Sequence, residues 1–196
     1  MLFVQEYLPM RAGLYARRWA LSRNPLFNDY SRFGGDCTNF VSQCILAGAP
    51  VMNFTPTFGW YYRSDSDRAP AWTGVEPFYR FLTENEGEGP FGTEIAEADV
   101  RAGDVVQLGR EDGDFYHTLF VLEKTGEEIF VAAHTDDAIM RPLSSYIYGI
   151  ARFLRVSGVR VTLPDNAPVF YGLLEGRALP PSPLYTLASA PATEMT

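Results

Sequence analysis

Three side chains in this sequence carry the chemistry of nucleophilic catalysis: Cys37, His117 and His134, the latter two being its only histidines. Cys37 follows a glycine pair in Phe33-Gly34-Gly35-Asp36-Cys37-Thr38-Asn39-Phe40-Val41-Ser42-Gln43. Two glycines permit a close-approach turn, and Phe40, Val41, Cys44 and Ile45 follow at helical spacing. Cys37 therefore falls in a first helical turn, where free N–H groups and the helix dipole favour a thiolate. Cysteines so placed commonly have pKa values lowered to roughly 3.5–7.5. The expectation is a nucleophile that the rest of the chain must supply with a base.

His117 and His134 lie at the far ends of two apolar runs flanking Thr125-Gly126. If those two residues form a hairpin turn, Lys124 faces Glu127 and, counting away from the turn, His117 faces His134. Their Cβ atoms would then be about 4.5–5.5 Å apart, on the face that carries the Leu119–Ala132 and Val121–Phe130 pairs. A one-residue change in the turn would undo this pairing. Cysteine hydrolases need an imidazole to take the thiol proton and return it to the leaving amine, and a third polar group to orient that imidazole. One histidine as base and the other as orienter meets both needs. Two other readings stand beside it. Each histidine is a satisfied polar residue at a strand end, or Cys37, His117, His134 and Asp136 ligate zinc. No C-x-x-C or H-x-x-x-H spacing accompanies the zinc reading, and neither a metal nor another cofactor is expected.

The elements that must position these groups are legible as periodicity. Residues 5–22 read as an amphipathic helix with Ala12, Tyr15, Ala16, Trp19 and Ala20 on one stripe, stopped by Asn24-Pro25. The Cys37 helix runs to about Ala47, before Gly48 and Pro50. Residues 51–72, with Phe54, Phe58, Trp60, Tyr61, Tyr62 and Trp72, read as a long ordered loop that is either functional or a lid of core-filling aromatics. Thr73-Gly74-Val75-Glu76 has capping-box spacing before a helix with Val75, Phe78, Tyr79 and Leu82 buried. Residues 84–92 read as a turn region. Strands are expected at 103–108, 116–124, 128–134, 150–156 and 159–163, forming an antiparallel sheet. The expected division is a domain at 1–163 and a Pro-rich extension at 164–196, partly mobile, with a tail from Leu179 that lacks periodicity.

Bulk properties narrow the function. A chain of 196 residues supports one core, and a net charge of −8 argues against a nucleic-acid partner. No apolar run is long enough to span a membrane. Cys37 and Cys44, two helical turns apart at about 10 Å, are too distant for a disulfide. Unpaired thiols and a start without signal-peptide character lean toward a cytoplasmic location without fixing it.

The run Gly34–Gln43 resembles the signature of the bacterial putative amidase domain family. That family is placed in the papain-like superfamily with the NlpC-type cell-wall peptidases and CHAP amidases. The resemblance extends over about residues 5–155, through Tyr15-Ala16, Trp19, Asn24-Pro25, Trp60, Trp72-Thr73, Gly103-Asp104-Val105-Val106-Gln107, His117, Ala133-His134-Thr135-Asp136 and Pro142-Leu143. It implies an α+β fold of papain-like, NlpC type, with N-terminal helices, including the Cys-bearing one, packed on an antiparallel sheet. It also implies Cys37 as nucleophile, His117 as general base and His134 as orienter, with Asp136 either replacing His134 or only starting a loop. Asp36 corresponds to an acidic residue that helps hold a substrate amine in NlpC-type enzymes; a helix N-cap is its other reading. Tyr30 is the candidate oxyanion donor beside the Cys37 N–H, and Trp60 a candidate substrate contact. The expected activity is hydrolysis of an amide bond through a thioester, in a small peptide or peptidoglycan fragment. An acyltransferase would share the chemistry, and a catalytically silent peptide- or glycan-binding module would share the scaffold.

Overall fold

The structure, a computed structural model, describes residues 2–162 and 172–177. It is α+β, built on an antiparallel sheet of seven strands: β1 (Phe3–Gln5), β4 (Gly89–Ile95), β5 (Val105–Gly109), β6 (Phe115–Thr125), β7 (Glu128–Ala133), β8 (Ala138–Pro142) and β9 (Ile150–Val161). β9 is the spine. β4 pairs along one of its edges, β5 and β1 share the other, and β6, β7 and β8 follow outward from β5. A short pair, β2 (Tyr62–Ser64) with β3 (Asp67–Arg68), stands apart.

The helices named among the described residues are α1 (Pro9–Trp19), α2 (Cys37–Gly48), α3 (Pro70–Thr73) and α4 (Val75–Glu84). Every residue of α2 is buried. Its sequence allows this, because Phe40, Val41, Cys44, Ile45, Leu46 and Ala47 leave only Thr38, Asn39, Ser42 and Gln43 to be satisfied. Ser42 donates to the Trp72 carbonyl at 2.9 Å, and Gln43 Oε1 accepts from the Tyr15 hydroxyl at 2.7 Å. A helix apolar on all sides belongs at the centre of a core, and α2 sits between α1, α3 and one face of the sheet. Phe120, Leu122, Ala132, Leu154 and Val159 supply that face. The opposite face carries a second, smaller core of Val106, Leu108, Leu119, Val121, Ile129 and Val131.

Several expectations need correction. Residues 3–5 are a strand, so the first helix begins at Pro9. Residues 89–95, expected as turn, form β4 despite their glycines and proline, with the ladder register shifting between Phe91 and Gly92. The two last strands are one continuous β9. α4 has Gly74 at its N-cap with no side-chain cap, and Phe81 rather than Val75 joins its buried stripe. The aromatic segment is core-filling at Trp60 and Trp72, both fully buried, with ring centroids 4.9 Å apart.

Of the expected extension, residues 172–177 are described: they make one helical turn, and Leu173 is fully buried in the main core. The Leu173 carbonyl accepts from Asn24 Nδ2 at 3.0 Å. The expected boundary at 163 and the tail from Leu179 lie outside the described residues.

Phe40 is fully buried on α2. Phe40→Ala should lower the unfolding free energy by about 3–5 kcal/mol, read from urea denaturation; a loss within about 0.5 kcal/mol would show that α2 is not the centre of the core.

Candidate active site

The loop entering α2 turns on Gly34 and Gly35, at φ +106° and +118°, a region that side chains rarely adopt. The loop is held from both ends. The Gly35 N–H donates to the Tyr30 carbonyl at 3.2 Å, and the Asp36 N–H to Thr135 Oγ1 at 2.7 Å. Asp36 precedes Cys37 and is completely buried. Its side chain makes no N-cap hydrogen bond; it reaches away from the helix start. Oδ1 accepts from the Tyr30 N–H (3.1 Å) and Asn39 Nδ2 (2.8 Å); Oδ2 meets His134 Nδ1 at 2.6 Å and Arg23 Nε at 3.3 Å. A carboxylate with four partners and no exposed surface is a structural anchor: Asp36 holds the N-cap position of α2 without the capping hydrogen bond, and its burial leaves no oxygen facing solvent for a substrate amine.

His134 belongs to that anchor. Besides Asp36, its Nε2 lies 2.9 Å from the Trp19 carbonyl, and its ring stacks on Phe40 at 4.1 Å between centroids. With a carboxylate at one ring nitrogen and a carbonyl at the other, neither is left for another imidazole. The expected face-to-face pair of histidines does not form. Thr125 pairs with Glu128, so the turn is Gly126-Glu127; a register shift between Val121 and Glu123 follows, and the β6–β7 ladder ends at Phe120–Ala132. His117 shares the face of Leu119 and Val121, and His134 lies on the α2 side.

Because β6 and β7 part before His117, the end of the sheet is open, and the start of α2 sits there. The Cys37 sulfur stands 3.9 Å from Thr38 Oγ1, and the backbone N–H groups of Thr118, Thr38 and Cys37 itself act to lower its pKa. The start of α2 thus faces the strand end that carries His117 and Thr118. Thr38 and Thr118 hydroxyls meet at 2.9 Å, Gln107 Nε2 donates to Thr118 Oγ1 at 3.2 Å, and Arg152 Nε donates to Gln107 Oε1 at 2.7 Å. This buried chain fixes the height of Cys37 above the sheet. Burial nevertheless pushes the Cys37 thiol above its ordinary pKa, outweighing those N–H groups. The expectation of a lowered thiol is therefore corrected: at 7% exposure, desolvation dominates the helix-start effect.

His117 lines a cavity of about 420 Å³ together with Gly34, Gly35, Asp136, Arg141 and Tyr146. Its ring makes no hydrogen bond to the described residues and none to Cys37. Burial lowers its pKa to about 4, partly offset by the Asp136 carboxylate. The ring is therefore neutral near pH 7 and able to take a proton. Thr135 and Asp136 adopt left-handed φ values of +60° and +64°, strain that holds the turn over the glycine loop.

The remaining candidates lie elsewhere. The Tyr30 phenol sits beneath the Arg68 guanidinium, 4.5 Å from its ring, where burial and Asp65 push its pKa up. Trp60 donates to Ser42 Oγ at 3.0 Å inside the core and is not among the residues lining the His117 cavity. Cys37 and Cys44 are both free and buried. Among the described residues no group of three or more His, Cys, Asp or Glu stands close enough to hold a metal, and no helix is long and apolar enough to cross a membrane. Sequence reasoning missed Arg23, Thr118, Arg141 and Tyr146. Thr118 could have been found as the neighbour of His117, whereas Arg141 and Tyr146 sit in no motif.

A family model described as "Putative amidase domain" matches residues 6–155. The chain belongs to this family. It is 33% identical over 141 residues to the uncharacterized protein YhbB of Bacillus subtilis (strain 168), covering 69% of this chain and 44% of that one. It is 25% identical over 147 residues to the uncharacterized protein YjcM of the same organism, covering 71% and 33% respectively. The chain thus spans less than half the length of these relatives. No solved structure matches.

Two measurements check this geometry. With a folded pKa of about 4 for His117 against about 6.5 unfolded, the unfolded chain binds the proton more tightly. Its contribution to stability is complete above about pH 6.5 and is lost as pH falls toward 4, on the order of 3 kcal/mol. The NMR titration of this ring should centre near 4, and His117→Gln should lose less stability than wild type on going from about pH 7 to pH 4; a ring titrating near 6.5 would contradict its burial. Asp36→Ala, which strands His134 and Arg23, should cost about 3–5 kcal/mol in chemical denaturation, and a loss below about 1 kcal/mol would contradict the anchor.

Proposed function

We propose that this amidase-family chain is a cysteine-dependent hydrolase that cleaves an amide bond through a thioester, with Cys37 as nucleophile and His117 as base. The observation that supports this most is that the residue after Cys37 and the residue after His117 are in contact, their Thr38 and Thr118 hydroxyls 2.9 Å apart at the open end of the sheet. A Cys-bearing helix on an antiparallel sheet is also the arrangement expected of a papain-like, NlpC-type scaffold.

Both groups rest neutral, so proton transfer accompanies attack. The Cys37 thiol proton passes to His117 as the sulfur bonds to the carbonyl carbon. The N–H groups of Cys37 and Thr38 at the start of α2, with that of Thr118, are the donors available to the oxyanion. His117 returns the proton to the leaving amine, and water, deprotonated by the same ring, then hydrolyses the thioester and restores the thiol. Asp136, the carboxylate that His117 feels, orients the base in this scheme; His134 acts one step back, fixing Asp36 and hence the Cys37 loop. The substrate would be a small peptide or a peptidoglycan fragment, a class in keeping with the cavity of about 420 Å³.

A second reading, a binding module without catalysis, is favoured by one observation: the raised thiol has no hydrogen bond to His117. Such contacts often tighten only around substrate. Digestion of muropeptides and simple peptide amides, followed by mass spectrometry, separates the two. Wild type should yield discrete amide cleavage products, reduced roughly 10³-fold or more in Cys37→Ala and in His117→Ala. Cleavage undiminished in Cys37→Ala would end the thioester proposal, and binding without cleavage by wild type would establish the module.

A further inference from the structure

The cavity beside His117 holds two hydrogen-bond donors that the protein leaves unused. Arg141 lines it. Its Nε donates to Ser145 Oγ at 3.0 Å, one Nη2 hydrogen reaches the Ser145 carbonyl at 3.4 Å, and its guanidinium lies over the Tyr146 ring, 3.9 Å from the centroid. These contacts hold the guanidinium in place and leave Nη1 without a carboxylate or carbonyl acceptor among the described residues. No carboxylate of the described residues lies within ion-pair distance of it, whereas Arg23, Arg152 and Arg155 are each paired with an acidic side chain. Tyr146 lines the same cavity, and its buried hydroxyl meets only the Arg141 guanidinium, so that its own O–H proton has no acceptor among the described residues. A buried hydroxyl left unsatisfied is costly, and a half-buried guanidinium without a counter-ion in a chain of net charge −8 is unusual company for it.

One ligand group satisfies both. We propose that Arg141 and Tyr146 form a carboxylate subsite, so that the favoured substrates are peptides bearing a free carboxylate within a residue of the scissile amide. The planar guanidinium and the phenol together match the two oxygens of a carboxylate, and a neutral amide would leave the charge unmatched. The Tyr146 ring stands 6.1 Å from that of His117, which places such a carboxylate next to the base. Asp136, which also lines the cavity, makes no ion pair with Arg141 and leaves it free for this role. The proposal rests on the cavity being the mouth of the hydrolase site.

The test separates binding from turnover. Full-length Cys37→Ala protein is titrated calorimetrically with N-acetyl-alanyl-glutamate and with the same dipeptide amidated at both carboxyls. The acid should bind about tenfold or more tightly than the bis-amide. Adding Arg141→Met should abolish the preference, and adding Tyr146→Phe should weaken the acid several-fold with little effect on the bis-amide. Arg141→Gln, which retains a polar end near Ser145, replaces Arg141→Met if the latter does not fold. Equal affinity for the two probes, no binding of either, or a preference that survives loss of the guanidinium would overturn the subsite. If the acid is preferred and wild type cleaves nothing, the hydrolase reading falls and the subsite stands; if wild type cleaves acidic and amidated peptides alike, only the subsite falls.

Discussion

The interaction on which the site depends is the buried contact between Asp36 and His134, 2.6 Å long and without solvent exposure on either side chain. Its two residues come from opposite ends of the architecture, one from the loop that starts α2, the other from the end of β7. Removing charge from water is expensive, and such a pair persists only where further partners complete it. Here Arg23, Asn39 and the Tyr30 N–H complete the carboxylate, and the Trp19 carbonyl completes the imidazole. The result is a fixed distance between the residue before Cys37 and the strand end beside the cavity. Thr135, next in sequence to His134, then receives the Asp36 N–H, so backbone and side chain are tied to the same turn.

From this constraint the division of labour follows. The two histidines, alike in the sequence, are separated by one fact of register. His117 lies on a strand end that β7 has left, and keeps both nitrogens unengaged in a cavity. His134 lies on the α2 side with both nitrogens occupied. A symmetric pair of catalytic histidines would have needed an unbroken ladder past Phe120–Ala132, and the shift near Val121 and Glu123 removes it.

Much of this was legible in the sequence, and the failures have physical causes. The start of α2 at Cys37 follows from the glycine pair and the apolar spacing, and β5, β6 and β7 follow from β-branched and aromatic runs. β4 is illegible because Gly89, Pro90 and Gly92 are strand breakers, tolerated here because Ile95 packs on the smaller core, Arg160 covers the Phe91 ring and β9 supplies the partners. The hairpin register turns on the choice of loop: the sequence suits Thr125-Gly126 as well as Gly126-Glu127, and the latter forms it. The lowered thiol failed because the apolar character that makes α2 readable as a helix also buries Cys37, and desolvation opposes the charge that a helix start would favour. Trp60 looked like a loop aromatic, yet its indole fills the core between Trp72 and Phe81.

The central claim is that Cys37 and His117 work as one unit although no hydrogen bond joins them at rest. The rate of Cys37 alkylation by iodoacetamide near neutral pH, followed by peptide mass spectrometry in wild type and in His117→Ala, addresses it most directly. The account predicts modification at Cys37 that slows about tenfold or more without His117, while fully buried Cys44 stays unmodified in the folded protein. Equal rates at Cys37 with and without His117 would contradict it.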